Sequence, residues 1–329
     1  MYLSTKYLGL DLPHPITVGA SPLVDDLDQV RRLEDAGAAA IVMHSLFEEQ
    51  LIREQIGTVE SMELHANSFA EAQSYFPEPL EYRLGPEAYL EQIMKVKQLV
   101  SCPVIGSLNG SSGEGWVEYA KEIEKAGADA LELNIYYVAK AFEVDSALVE
   151  RRILEIVSQV KSAINIPVAV KLSPYLTALR NFAVSLVKAG ASGLVLFNRF
   201  YQPDIDIEEL EAVPTLKLSD SSELLLRLRW AAILHKQIDA SIAITGGVHT
   251  GADAIKAVMA GADSVQIVSA ALQNGPEVIK TIREDMKAWM QKKEYESLTQ
   301  MKGSMSLLKS PNPEAFERAN YMRILAGWR

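Results

Sequence analysis

Eight short apolar runs alternate with amphipathic stretches along this chain. Four of the runs follow the same tripeptide. Ala36-Gly37-Ala38 precedes AAIVM, Ala126-Gly127-Ala128 precedes DALELN, Ala189-Gly190-Ala191 precedes SGLVLF, and Ala260-Gly261-Ala262 precedes DSVQIV. A glycine at the end of a helix adopts the left-handed conformation and turns the chain sharply into the next strand. The other four runs lie between these: ITVGA after Pro15, PVIGSL from Pro103, PVAVKL from Pro167 and SIAIT from Ser241. Short continuous apolar strands separated by amphipathic helices imply parallel strands buried on both faces. Eight such units predict an α/β fold, a closed (β/α)8 TIM barrel over about residues 14–290. An open doubly wound sheet is the alternative, but no Gly-x-Gly-x-x-Gly fingerprint follows the first strand.

Three segments depart from the repeat. Residues 2–13 read as an N-terminal β-hairpin covering the barrel bottom. Residues 44–85 form a long insertion after the second strand, and residues 198–220 a smaller one after the sixth. Long βα loops of such barrels belong to the catalytic face. The tail from about Glu294 reads as extra helix, packing on the barrel or on a partner subunit. The whole of 1–329 is expected to be one domain, with a C-terminal helical extension over about 291–329.

Composition narrows the function. A formal net charge of −11 argues against a general nucleic-acid or anionic-membrane binder. The single cysteine, Cys102, excludes a disulfide within the chain and a Cys-ligated iron–sulfur cluster of its own. It precedes Pro103 at the entry to the third strand, where an ordinary buried thiol is expected. MYLSTKYLGLDLPHP has no basic n-region followed by a long apolar core, so no signal peptide is expected, and no apolar stretch approaches the roughly 18–20 residues of a membrane span. The cytoplasm is the simplest compartment.

The C-terminal ends of the strands carry the chemistry in an enzyme barrel. Here they read Ala20-Ser21, His44-Ser45, Asn109, Asn134, Lys171, Asn198, Thr245-Gly246-Gly247 and Ser269, while the strand bodies are nearly all apolar. Thr245-Gly246-Gly247, a helix starting near Gly251, and Val268-Ser269 after the eighth strand together suit a phosphate cradle of backbone N–H groups. Lys171 ends a strand of bulky apolar residues, so its ammonium is expected in the central cavity. There it can form a Schiff base, hold a phosphate or stabilise anionic charge on a cofactor ring. The bland alternative is a lysine that snorkels to solvent. GSLNGSSGEG lacks the Gly-Lys-Ser/Thr end of a P-loop and is better read as the loop carrying Asn109. The five histidines have no ligand spacing, so no metal is expected.

These residues bring a family likeness. Over about residues 2–290 the chain resembles the dihydroorotate dehydrogenases, FMN-dependent barrels that oxidise dihydroorotate to orotate. YLSTKYLGLDLPHPITVGAS is similar to the family's hairpin and first strand. LELN, VKL and ITGGVHTGADAIKAVMAGADSVQIVSAAL match family segments in order and spacing. The resemblance implies FMN contacts from Ala20, Ser21, Asn109, Asn134 and Lys171, with Ser219 near the ribityl-phosphate end. It implies phosphate binding by Gly246, Gly247, Val268 and Ser269. It places the substrate against Asn67, Asn134 and Asn198.

The substrate side departs from the pattern. Family members usually carry a cysteine base shortly after the fourth-strand asparagine. This chain has Asn134-Ile135-Tyr136-Tyr137-Val138, with Tyr137 in that place. Ala139 stands where a second pyrimidine-binding asparagine is usual, and His44 where a lysine is usual. Tyr137, Lys171 and His44 are therefore the candidate catalytic residues. Tyrosine has an ordinary pKa of about 10, and Lys171 is the evident group to stabilise its phenolate. Alternatively the Tyr137 ring packs on flavin or substrate with no proton role. Histidine suits proton transfer near neutral pH.

The resemblance thus implies an FMN-dependent oxidoreductase taking hydride from a CH–CH donor, either dihydroorotate or a related small compound. Its electron acceptor would be soluble or a partner protein, and homodimers are common in the family. Two rivals stay open. One is a flavin-free phosphate-binding lyase or aldolase using Lys171; the other is a flavin-binding, non-catalytic partner subunit.

Overall fold

In the computed structural model, residues 2–47, 85–110, 115–135, 137–139, 141–199, 202–317 and 320–327 are described. Each Ala-Gly-Ala tripeptide ends a helix. These helices are α1 (Leu27–Asp35), α3 (Trp116–Lys125), α5 (Leu179–Lys188) and α7 (Gly251–Ala260). Gly37, Gly127, Gly190 and Gly261 all have positive φ. After each glycine the alanine N–H returns to a carbonyl five residues back, as in Ala38 N to Leu33 O and Ala191 N to Leu186 O, both 3.0 Å. The last turn of each helix is thereby satisfied, and the chain is aimed at the next strand.

Eight parallel strands close into a barrel. They are β3 (Ile16–Val18), β4 (Ile41–Val42), β6 (Val104–Gly110), β7 (Ala130–Ile135), β8 (Val168–Leu172), β9 (Gly193–Leu196), β12 (Ser241–Thr245) and β13 (Ser264–Ile267). Pairing of β4 with both β3 and β6 completes the ring. The second strand, expected as one run, is interrupted. After Val42 it leaves the ladder and resumes as β5 (Leu46–Phe47), with Phe47 paired to Asn109.

Side-chain parity explains how the barrel is filled. Leu131, Leu133, Val168, Val170, Leu194 and Leu196 pack outward on the helices. Ile105, Ala130, Ala169, Val195 and Ala243 face a separate inner core. So many small residues would leave a void at the bottom. The antiparallel hairpin of β1 (Thr5–Tyr7) and β2 (Leu10–Leu12) fills it with Tyr7, Leu8 and Leu12. The hairpin therefore covers the bottom by inserting into it.

The insertion after β9 contains a second hairpin, β10 (Pro203–Asp206) with β11 (Glu211–Pro214). Among the described residues the remaining helices before the tail are α2 (Pro86–Leu99), α4 (Ser146–Ala163), α6 (Leu224–Leu234), α8 (Ser269–Asn274) and α9 (Val278–Lys292). The tail is less helical than expected. It has short α10 (Leu298–Met301), a 3-10 turn and α11 (Asn320–Gly327), joined by turns. It packs on the barrel through Gly303 N to Val258 O and Leu307 N to Ala232 O. Among the described residues no helix is long and apolar enough to cross a membrane.

Candidate active site

Strand register brings three expected residues into one layer. Asn109 of β6 pairs with Asn134 of β7, which pairs with Lys171 of β8. From the end of β9, Asn198 donates its Nδ2 to Asn134 Oδ1 at 2.8 Å. Three asparagines and a lysine thus meet at the mouth. Asn67 lies outside the described residues.

Below this layer the nearly all apolar strand bodies carry a buried charge. Glu132, fully buried in β7, lies inside the barrel. Its Oε2 accepts from Gln266 Nε2 at 2.8 Å, and its Oε1 is 3.3 Å from Lys171 Nζ. Lys171 therefore does not snorkel; its ammonium turns into the barrel and is buried. The signal for Glu132 was available, since a charged residue two positions before Asn134 shares its face.

On the other side of the mouth a cradle is assembled from three loops. Gly246 and Gly247 both have φ +81, and Cβ atoms there would strike Arg227 and the Leu224 backbone respectively. Buried Arg227 braces this turn, donating Nε to Thr245 O at 2.5 Å and NH1 to Glu223 O at 2.6 Å. Ser219 ties the loops together. Its N–H and Oγ donate to Ser269 Oγ at 3.2 and 2.9 Å, and Gly247 N donates to Ser219 Oγ at 3.3 Å. His249 Nε2 lies 3.3 Å from the same hydroxyl. Thr250 and Asp253 form a capping box at the start of α7. Burial of Asp253 opposes its charge. Hydrogen bonds from Ser221, Thr250 and two backbone N–H groups prevail, holding its carboxyl below the ordinary value.

Ala20 and Ser21 complete the rim at the end of β3. A Cβ on the preceding Gly19 would lie 2.8 Å from Val268 Cγ2, so these two strand ends approach closely. Ser21 is buried, and its Oγ has no hydrogen-bond partner among the described residues. A buried hydroxyl in that state suits a bound polar group. Among the described residues no cluster of three or more His, Cys, Asp or Glu side chains is placed to hold a metal.

The candidate proton-transfer groups have partners that sequence reading missed. His44 Nδ1 is 3.3 Å from Asp25 Oδ1. A carboxylate acceptor fixes Nδ1 as the donor and leaves Nε2 free to accept in the neutral ring. Tyr137 meets Arg152 of α4 rather than Lys171, with NH1 donating to the hydroxyl at 3.3 Å and the guanidinium 5.7 Å from the ring centre. Helical spacing alone gave no reason to select Arg152. Tyr137, Val138, Ala139, Lys171, Tyr175 and Gln202 border a cavity of about 610 Å³, backed by Val149 and Ile153 of α4. Cys102 sits at the opposite end of the barrel from these groups. Burial, and then Glu34, pushes its thiol up to about 12, which makes it unreactive.

Comparison with known proteins shows what the chain is similar to. A family model described as dihydroorotate dehydrogenase matches residues 82–290. The dihydroorotate dehydrogenase B (NAD(+)) catalytic subunit of Methanocaldococcus jannaschii is 28% identical over 291 residues, covering 86% of this chain and 92% of that protein. The subunit of the same name from Thermoplasma acidophilum is 28% identical over 305 residues, covering 92% and 98%. The one from Methanothermobacter thermautotrophicus is 30% identical over 226 residues, covering 67% and 73%.

Proposed function

We propose a function from one premise: this chain belongs to the dihydroorotate dehydrogenase family. It is an oxidoreductase acting on a CH–CH donor, and we assign FMN as its cofactor. The observation that carries the assignment is the pairing of two features across one mouth. One is the Asn109, Asn134 and Lys171 layer; the other is the cradle joined through Ser219, Gly247 and Ser269. The tight Gly246-Gly247 turn suits the close approach of one terminal phosphate, and the buried Ser21 hydroxyl adds an unused polar group on the same rim.

When bound, FMN supplies the two-electron acceptor for hydride from a substrate carbon. Gly246, Gly247, Val268 and Ser269 would hold its phosphate, with Ser219 bracing them. Asn109, Asn134 and Lys171 would hold the ring system, where the lysine ammonium would stabilise negative charge. Asn198 holds the substrate jointly with Asn134, and Asn67 is assigned the same role by resemblance. His44 takes the substrate proton at Nε2, with Asp25 orienting the imidazole. Tyr137, anchored by Arg152, forms the wall of the site.

The substrate is dihydroorotate or a related small cyclic compound, and the acceptor is soluble or a partner protein. Expression under flavin-replete conditions, release of the ligand by denaturation and its identification by mass test the cofactor. FMN is expected; FAD, or a colourless protein, refutes the assignment and favours a flavin-free lyase. Anaerobic mixing with dihydroorotate and related dihydropyrimidines then tests the reaction through flavin bleaching. A yellow protein that none of them bleaches points to a non-catalytic subunit.

A further inference from the structure

Glu132 is a carboxylate with 0% exposure in the interior of the barrel. A buried charge is costly unless it is paired, and removal of either partner leaves the other uncompensated. Its two oxygens have separate tasks. Gln266 reaches across from β13 to donate to Oε2 at 2.8 Å. Oε1 accepts no hydrogen bond among the described residues and faces the Lys171 ammonium at 3.3 Å.

The register shows what this contact does. Lys171 pairs with Asn134 in the upper layer, whereas Glu132 pairs with Ala169 one layer below. The small Ala169 side chain leaves room, and Lys171 bends down into it rather than extending out of the mouth. A lysine has four flexible side-chain bonds and ordinarily carries its charge to water. A partner beneath it is needed to hold the ammonium at the floor of the site. Tyr7 lies in the same inner core. Burial, and then the charges of Glu132 and Asp263, raise the pKa of its hydroxyl and keep it protonated.

We propose that Glu132 is a positioning residue: it holds the Lys171 ammonium at the floor of the barrel mouth, and Gln266 fixes the carboxylate that does so. This rests on the reading that Lys171 lies against the flavin. Because Glu132 acts through Lys171, the two should not act independently on the flavin.

A double-mutant cycle read by the midpoint potential of bound flavin tests this. Lys171→Met in the natural chain is expected to disfavour the reduced flavin about tenfold, about 30 mV for a two-electron couple. In a Glu132→Gln background the same replacement should change it by about twofold or less, because the ammonium is no longer held in place. Equal shifts in both backgrounds overturn the proposal. If Glu132→Gln does not fold, Gln266→Met replaces it; that variant removes the tether while keeping both charges, and the same reduction of the Lys171 effect is expected. A wild-type protein that binds no flavin overturns the functional reading and this proposal together. Flavin binding with independent effects overturns the proposal alone.

Discussion

Replacement of Gly247 by alanine separates the cradle from the rest of the fold. The residue has φ +81, which costs an L residue roughly 1–2 kcal/mol. An added Cβ would also lie against the amide nitrogen of Leu224, 2.8 Å from its Cα and 3.0 Å from the Glu223 carbonyl carbon. These are backbone atoms at the start of α6, so no side chain can swing aside. Overpacking of this kind adds about 1–3 kcal/mol. Gly9 supplies the control: its φ is +80, and nothing lies within 4 Å of a Cβ placed there. Gly9→Ala should show only the conformational cost, about 1–2 kcal/mol by urea denaturation of the apoprotein. Gly247→Ala should lose about 1–3 kcal/mol more, as displacement of α6 absorbs the clash. Titration of FMN into apoprotein should show unchanged affinity for Gly9→Ala and at least a tenfold loss for Gly247→Ala, some 1.4 kcal/mol. Equal destabilisation and equal FMN affinity in the two variants would refute the argument that Gly247 is reserved for a close backbone approach.

Four further outcomes are expected. His14 is held down to about 4, first by burial and then by Arg283, against an ordinary 6.5. Its neutral form is therefore favoured by folding. Its contribution is complete above about pH 6.5 and is lost as pH falls toward 4, by about 3 kcal/mol. Denaturation midpoints across that window should slope less in His14→Gln; an unchanged slope contradicts the assignment. Iodoacetamide should label the half-buried Cys102 much more slowly than an exposed thiol, and labelling at the rate of free cysteine would refute the raised thiol pKa. Dihydroorotate should reduce the flavin slowly, since the general-base position is altered and such a base is worth roughly 10²–10⁴-fold. With the best substrate, stopped-flow reduction should slow at least about a hundredfold in His44→Gln and less than tenfold in Tyr137→Phe. The reverse order would move the proton-transfer role to Tyr137.

The barrel was legible in the sequence because its signals are local. Each Ala-Gly-Ala ends a helix through contacts within six residues, and each apolar run needs only burial on both faces to become a strand. The polar ends Asn109, Asn134 and Lys171 were legible for the same reason, since period-two alternation places them at one end and on one face of adjacent strands. Other features depended on which strands become neighbours. Glu132 and Gln266 are 134 residues apart and meet only because the ring closes. Tyr7 looked like an ordinary hairpin residue until four distant strands presented small side chains around it. Arg152 and Tyr137 meet because α4 packs back over the loop that precedes it. Local sequence determines where chain direction changes and which face is polar, because those depend on backbone geometry and alternation. Which charges neutralise one another depends on strand order and register, and those are decided by closure of the barrel.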